Sequence, residues 1–228
     1  YEISACLVGS EMCIRDSYTG ETKLIENEHF NNLMDVFDIL KQYNINDADP
    51  LADTQEGDLE MLATGKTATM FQGDWNWLQI QTFAERDDLA IMPLPLTNDE
   101  TDPRNSMILG SCPKAYCVDT YQSTPEQQAA GVELAKWLAL SDEGKEFMVT
   151  QIGSTLPFDD VNVVNENPLA VSTQEYLNAG KILDISTFLC EAPSDFWLII
   201  GPYMQAYLAG QMDRATLAAE IEAYFQDI

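Results

Sequence analysis

A chain that carries 38 aspartates and glutamates against 11 lysines and arginines has to keep nearly all of its carboxylates in water, so only the apolar stripes and short runs between them can be buried. The net charge of -27 repels phosphate backbones and anionic headgroups. It therefore argues against nucleic-acid and membrane-surface binding and favours a neutral or cationic ligand. At 228 residues, 46% hydrophobic and 21% charged, the chain has the balance of a globular protein and suits one large domain or two small ones. The longest apolar stretch, from Phe196 to Gly210, is interrupted by Pro202 and Gln205 and is too short and too broken to span a bilayer.

The opening string YEISACLVGSEMCIRDS, residues 1–17, holds two of the five cysteines and no clear hydrophobic period. It resembles translated sequencing-adaptor read-through and is set apart from the fold as an artefactual lead. No basic region followed by an apolar run and a small-residue cleavage site is present, so a signal sequence is expected upstream of this chain. The other cysteines, Cys112, Cys117 and Cys190, are odd in number and show no paired spacing. On an extended segment, Cys112 and Cys117 would point to opposite faces, and all three read as small buried hydrophobes.

Between Glu28 and Tyr43 the spacing of Phe30, Leu33, Phe37 and Leu40 predicts an amphipathic helix. A second helix through Leu59, Met61 and Leu62 should end at Gly65, which can take a left-handed cap. Short strands are expected at Thr67–Gln72, at Leu89–Leu94 before Pro95, and at Ala115–Val118. Thr124, Pro125 and Gln127 form a strong helix start, with Leu134, Trp137 and Leu138 expected on the buried face. Ser141-Asp142-Glu143 restarts a helix with acids in its first turn. After a loop from Gly153 to Asn167, the tail is read as helical over Leu198–Ala209 and again through Leu217, Ile221 and Tyr224. The class is α/β and helix-rich.

Several chemistries fail on their residues. Gly65-Lys66-Thr67 lacks the first glycine of a phosphate-binding loop, since position 60 is Glu60, and the local order is helix then strand. His29 is the sole histidine, no G-x-S-x-G elbow or C-x-x-C pair occurs, and so neither a catalytic triad nor a zinc site is expected. Asp47, Asp49 and Asp53 lack the glycine and the bidentate acid of a calcium loop. No metal, cofactor or catalytic residue is assigned. Paired carboxylates for glycoside hydrolysis remain the enzymatic alternative.

Two groups carry positive chemistry. In Phe71-Gln72-Gly73-Asp74-Trp75-Asn76-Trp77 a carboxylate and an amide sit among indoles, and Ser194-Asp195-Phe196-Trp197 repeats the combination before a helix. A sugar ring has apolar C–H faces and hydroxyl edges, so its site needs a flat aromatic platform beside hydrogen-bonding groups. The alternatives are that Trp75 and Trp77 are core, and that Ser194 or Asp195 is only a helix N-cap.

The run Leu62 to Met70 with Gly65-Lys66-Thr67-Ala68-Thr69, then Gly73-Asp74-Trp75, Ile91-Met92-Pro93-Leu94-Pro95, and Ala135-Lys136-Trp137-Leu138 leading into Ser141-Asp142-Glu143-Gly144, resembles the family 1 extracellular solute-binding proteins. It is similar to the C-terminal part of maltose-binding and multiple-sugar-binding proteins over Tyr18 to Ile228. The resemblance implies a periplasmic-binding-protein-like two-lobe (type II) fold, C-terminal part only, because the family's first βα region has no counterpart here. It implies that residues 18–110 are C-lobe, 111–182 the hinge crossing and returning N-lobe helices, and 183–228 C-lobe terminal helices. Gly73, Asp74, Trp75, Asp195, Trp197 and Ser111 are the ligand-binding residues it points to. Trp75 and Trp197 would stack on sugar rings, and Asp74 and Asp195 would accept hydroxyl protons. Gly110 and Ser111 would lie near the hinge, and Gly153 to Leu156 near an interlobe cleft. The implied protein is a monomeric, extracytoplasmic, non-enzymatic carrier, periplasmic or lipid-anchored, whose partners are a mono- or oligosaccharide and ABC permease transmembrane subunits.

Overall fold

The computed structural model describes residues 22–46, 49, 54–83, 86–111, 116–158, 160–186 and 193–226. The adaptor-like lead, Asp47, Asp53, Cys112 and Cys190 lie outside these residues. The described chain is helix-rich with one small parallel sheet, a loose α/β arrangement. Two compact units are present. The first comprises the described residues within Tyr1–Phe71, Pro93–Ser111 and Ile182–Ile228, and the second those within Gln72–Met92 and Cys112–Lys181.

The first unit is built on α1 (Glu28–Gln42), α2 (Gln55–Ala63), α7 (Phe196–Leu208) and α8 (Arg214–Gln226). Asn27 caps α1 by accepting from the Phe30 N–H, and the stripe Phe30, Leu33 and Phe37 is buried with Met34. Leu40, expected on that stripe, is partly exposed at the end of the helix. The stripe packs with Phe196, Ile200, Met204 and Tyr207 of α7 and with Leu217, Ala218, Ile221 and Phe225 of α8 in one apolar cluster. Phe196 stacks on Phe225 with ring centroids 5.7 Å apart. Polar bonds rim this core. Arg214 bridges Asp35 at 2.6 Å and Asp38 at 2.8 Å, and the Tyr207 hydroxyl donates to Asp38 at 2.5 Å. Burial, then the bond to Asp38, raises the Tyr207 pKa. Pro202 sits inside α7 on its exposed side, where water can serve the carbonyl that loses its helical donor.

The sheet also belongs to this unit. β1 (Ile108–Gly110) pairs in parallel with β2 (Ile182–Asp184), with Ile108 opposite Ile182 and Gly110 opposite Asp184. Gly110 is needed for close approach, since a Cβ there would stand 2.6 Å from Ile182 Cγ2. The expected strands at 67–72 and 89–94 do not form. Lys66 and Thr67 N–H instead both return to the Met61 carbonyl, closing α2 around Gly65 at φ 73°. Residues 116–118 are likewise unpaired as a strand.

The second unit contains α3 (Trp77–Phe83), α4 (Pro125–Leu140), α5 (Asp142–Thr150) and α6 (Pro168–Asn178). α4 opens with the expected capping box, Thr124 and Gln127 each satisfying the other's backbone N–H, and Ser141 caps α5. The inward face of α4 differs from expectation. Leu138 is buried, but Leu134 and Trp137 are 56% and 40% exposed. Smaller residues face the chain instead, with Val118 beside Gly131 and half-buried Ala135 on the same face. Ile91 shows why 89–94 needs no strand partner. Its N–H donates to Ser172 Oγ, and that hydroxyl donates back to the Ile91 carbonyl, both at 3.1 Å. Cys117 is an exposed thiol and not the buried hydrophobe expected. No helix among the described residues is long and apolar enough to cross a membrane.

Candidate functional site

The Gly73–Trp77 segment lies in the second unit as a tight 3-10 turn, Asp74–Asn76, running straight into α3. Asn76 is buried, and its backbone N–H and side-chain amide both turn back to the Gly73 carbonyl, at 3.3 and 3.5 Å. The indole of Trp75 folds over Gly73 and fills the space a side chain would take. A Cβ at position 73 would come within 2.1 Å of two carbons of the six-membered ring. Gly73 thus leaves room for the ring's orientation, and Trp75 as a whole remains 51% exposed.

Beside it, one oxygen of the Asp74 carboxylate accepts from the Thr155 hydroxyl at 3.1 Å. A carboxylate has about four lone-pair sites, so one bond of this kind orients it and leaves acceptor capacity for further donors. Thr155 comes from the loop opened by Gly153, whose φ of 70° suits glycine. That loop is tied to the segment before α6, with Asn165 Nδ2 donating to the Ser154 carbonyl at 3.3 Å and Asn167 Nδ2 to the Gly153 carbonyl at 3.3 Å. Asn167 also reaches the Asp74 carbonyl at 3.4 Å. Further along, the ammonium of buried Lys145 bonds Asp160 at 2.6 Å and lies 5.8 Å from the centre of the Phe158 ring. The hydrogen bond from Lys145 holds the Asp160 carboxyl below its ordinary range.

Asp195 and Trp197 lie in the first unit. Asp195 occupies the cap position of α7 yet makes no capping bond; its carboxylate accepts from the Tyr224 hydroxyl at 2.8 Å. The N-cap alternative for this side chain is therefore not realised. Trp197 is partly buried against the α1, α7 and α8 core, edge-on to Phe196 at 4.9 Å and 80°. Its ring is committed to packing to a degree that Trp75 is not. Ser111 follows β1, is exposed, and precedes residues that are not described.

The site in the second unit thus unites Gly73, Asp74 and Trp75, the residues the sequence singled out, with Thr155 and Asn167. Thr155 falls within the 153–156 segment implied by the resemblance, while Asn167 stands in the sequence only at the end of the Gly153–Asn167 loop. Asn167-Pro168 is an N-cap followed by proline at the first helical position, a signal that marks α6 and could have drawn attention to it. What the group offers chemically is a half-exposed indole and, on the preceding residue, an oriented carboxylate acceptor, groups that suit a ligand with apolar C–H surface and hydroxyl donors. Among the described residues no cluster of three or more His, Cys, Asp or Glu side chains could hold a metal ion. The chain matches no family model, no curated protein and no solved structure.

Proposed function

We propose that this chain is the C-terminal part of an extracytoplasmic solute-binding protein, the substrate-binding component of a carbohydrate ABC importer. It holds a mono- or oligosaccharide by aromatic stacking and hydroxyl hydrogen bonds. The half-exposed Trp75 indole, seated on Gly73 next to an Asp74 carboxylate that Thr155 orients, carries this reading. The division into two compact units, each assembled from separated segments, supports a two-lobe periplasmic-binding-protein-like architecture. Asp195 and Trp197 supply a second carboxylate and indole in the first unit, the indole being the more enclosed of the two. The acidic composition accords with a neutral or cationic ligand. The setting outside the cytoplasm, periplasmic or lipid-anchored, and the permease partner follow from the family resemblance alone.

Isothermal titration calorimetry of the full chain against a panel of neutral mono- and oligosaccharides tests the proposal. Heat from at least one sugar, weakened about tenfold or more (~1.4 kcal/mol) by Trp75→Ala, is the expected result. No heat from any sugar, with heat from peptides or polyamines, overturns the substrate class. Release of reducing sugar during the same incubations would instead favour a glycoside hydrolase.

A further inference from the structure

A side-chain amide brings two N–H donors and a carbonyl acceptor, and once buried it must find partners for them. Asn167, 4% exposed, finds them on three segments of the second unit. Its Oδ1 accepts from the Leu169 and Ala170 N–H groups at 3.0 and 3.3 Å, capping α6. Its Nδ2 donates to the carbonyls of Asp74 and Gly153, at 3.4 and 3.3 Å. One of these carbonyls belongs to the residue whose carboxylate meets Thr155, and the other to the glycine that opens the loop bearing Thr155. Both ends of the Asp74–Thr155 bond are thus registered by a single amide anchored on a helix end.

We infer that Asn167 is a positioning residue for the ligand-binding group, fixing Asp74, Trp75 and Thr155 relative to one another through backbone carbonyls and not through contact with the ligand. Its effect on affinity rests on the saccharide-binding reading above; its effect on the placement of Trp75 does not. Two substitutions separate the cap from the donors. Asn167→Ser keeps an N-cap oxygen and loses the reach to both carbonyls. Asn167→Asp keeps the cap acceptor, which the helix dipole favours, and sets a carboxylate against the two carbonyls.

The experiment is fluorine NMR of the full chain labelled with 5-fluorotryptophan, whose four tryptophans give four resonances assigned by single Trp→Phe substitutions. Both Asn167 variants should shift or broaden the Trp75 resonance while those of Trp137 and Trp197 stay in place. Saccharide affinity should fall about tenfold in both variants. An unmoved Trp75 resonance in folded Asn167→Ser overturns the inference. A common shift of all four resonances also overturns it, since Asn167 would then be a general structural residue. If the unsubstituted chain binds no saccharide, the functional reading fails while the fluorine spectra still decide the positioning role.

Discussion

In the first unit the buried side chains of the described residues are apolar, running from Leu24 through the α1 stripe to Phe225, and charged groups such as Arg214 stay at the rim. The second unit buries Asn76, Lys145, Asn167 and Ser172 beside a shorter apolar set of Ile80, Leu138, Val149, Leu169 and Ala170. A buried aliphatic or aromatic side chain contributes about 1.5–3 kcal/mol through a non-directional effect. A buried hydrogen bond contributes about 1 kcal/mol net, but only at one geometry, and leaving a partner behind costs about 1–3 kcal/mol. The first unit is thus held by area and the second by direction. Directional ties are what a group such as Asp74 and Trp75 needs if it is to meet a ligand at fixed angles.

The largest test of this contrast is Phe196→Ala, which empties the centre of the first core and should cost about 3–5 kcal/mol. Hydrogen exchange should show α1, α7 and α8 losing protection while α4 to α6 keep theirs; equal loss in both units would break the comparison. Ser172→Ala comes next. It strips the Ile91 N–H and carbonyl of their shared partner and should cost about 1–3 kcal/mol in denaturant unfolding, with exchange rising around Ile91. A neutral outcome would mean that the second unit does not depend on polar lacing.

A smaller effect belongs to the loop before β1. The side-chain bond to Arg104, followed by the Arg104 backbone N–H, lowers the Asp102 pKa from 3.8 to about 2. A carboxyl lowered on folding stabilises the fold above its unfolded pKa and loses that contribution as pH falls through its folded value. Protection of the Arg104 and Asn105 amides should therefore be full above about pH 4 and decline towards about pH 2, a dependence that Asp102→Asn removes. Smallest of all, Lys136→Ala breaks an exposed pair with Glu133 on α4 and should change the unfolding free energy by no more than about 0.5 kcal/mol.

What could be read beforehand follows the range of the interactions. The α1 stripe up to Phe37, the stop of α2 at Gly65, the cap at Thr124 and the helix restart after Ser141 are written within a few residues and are found where expected. Leu217 and Ile221 likewise face the core. The parallel pair was missed because three-residue strands brought together from 108–110 and 182–184 leave no alternation to detect. On α4 the large residues Leu134 and Trp137 dominate the hydrophobic pattern, yet Leu138 and the smaller Gly131 and Ala135 turn inward. The same division runs through the site. Gly73 and Trp75 meet within one turn, whereas Thr155 and Asn167 reach Asp74 from 81 and 93 residues away, beyond any local pattern.

Saturation-transfer NMR on the full chain with neutral saccharides addresses the central claim most directly, because it reports which protons of the ligand lie against the protein. The account predicts strongest transfer to the C–H protons on one face of the sugar ring, lost in Trp75→Ala and retained in Trp137→Ala. Transfer to no saccharide, or transfer that Trp75→Ala leaves intact, would contradict it.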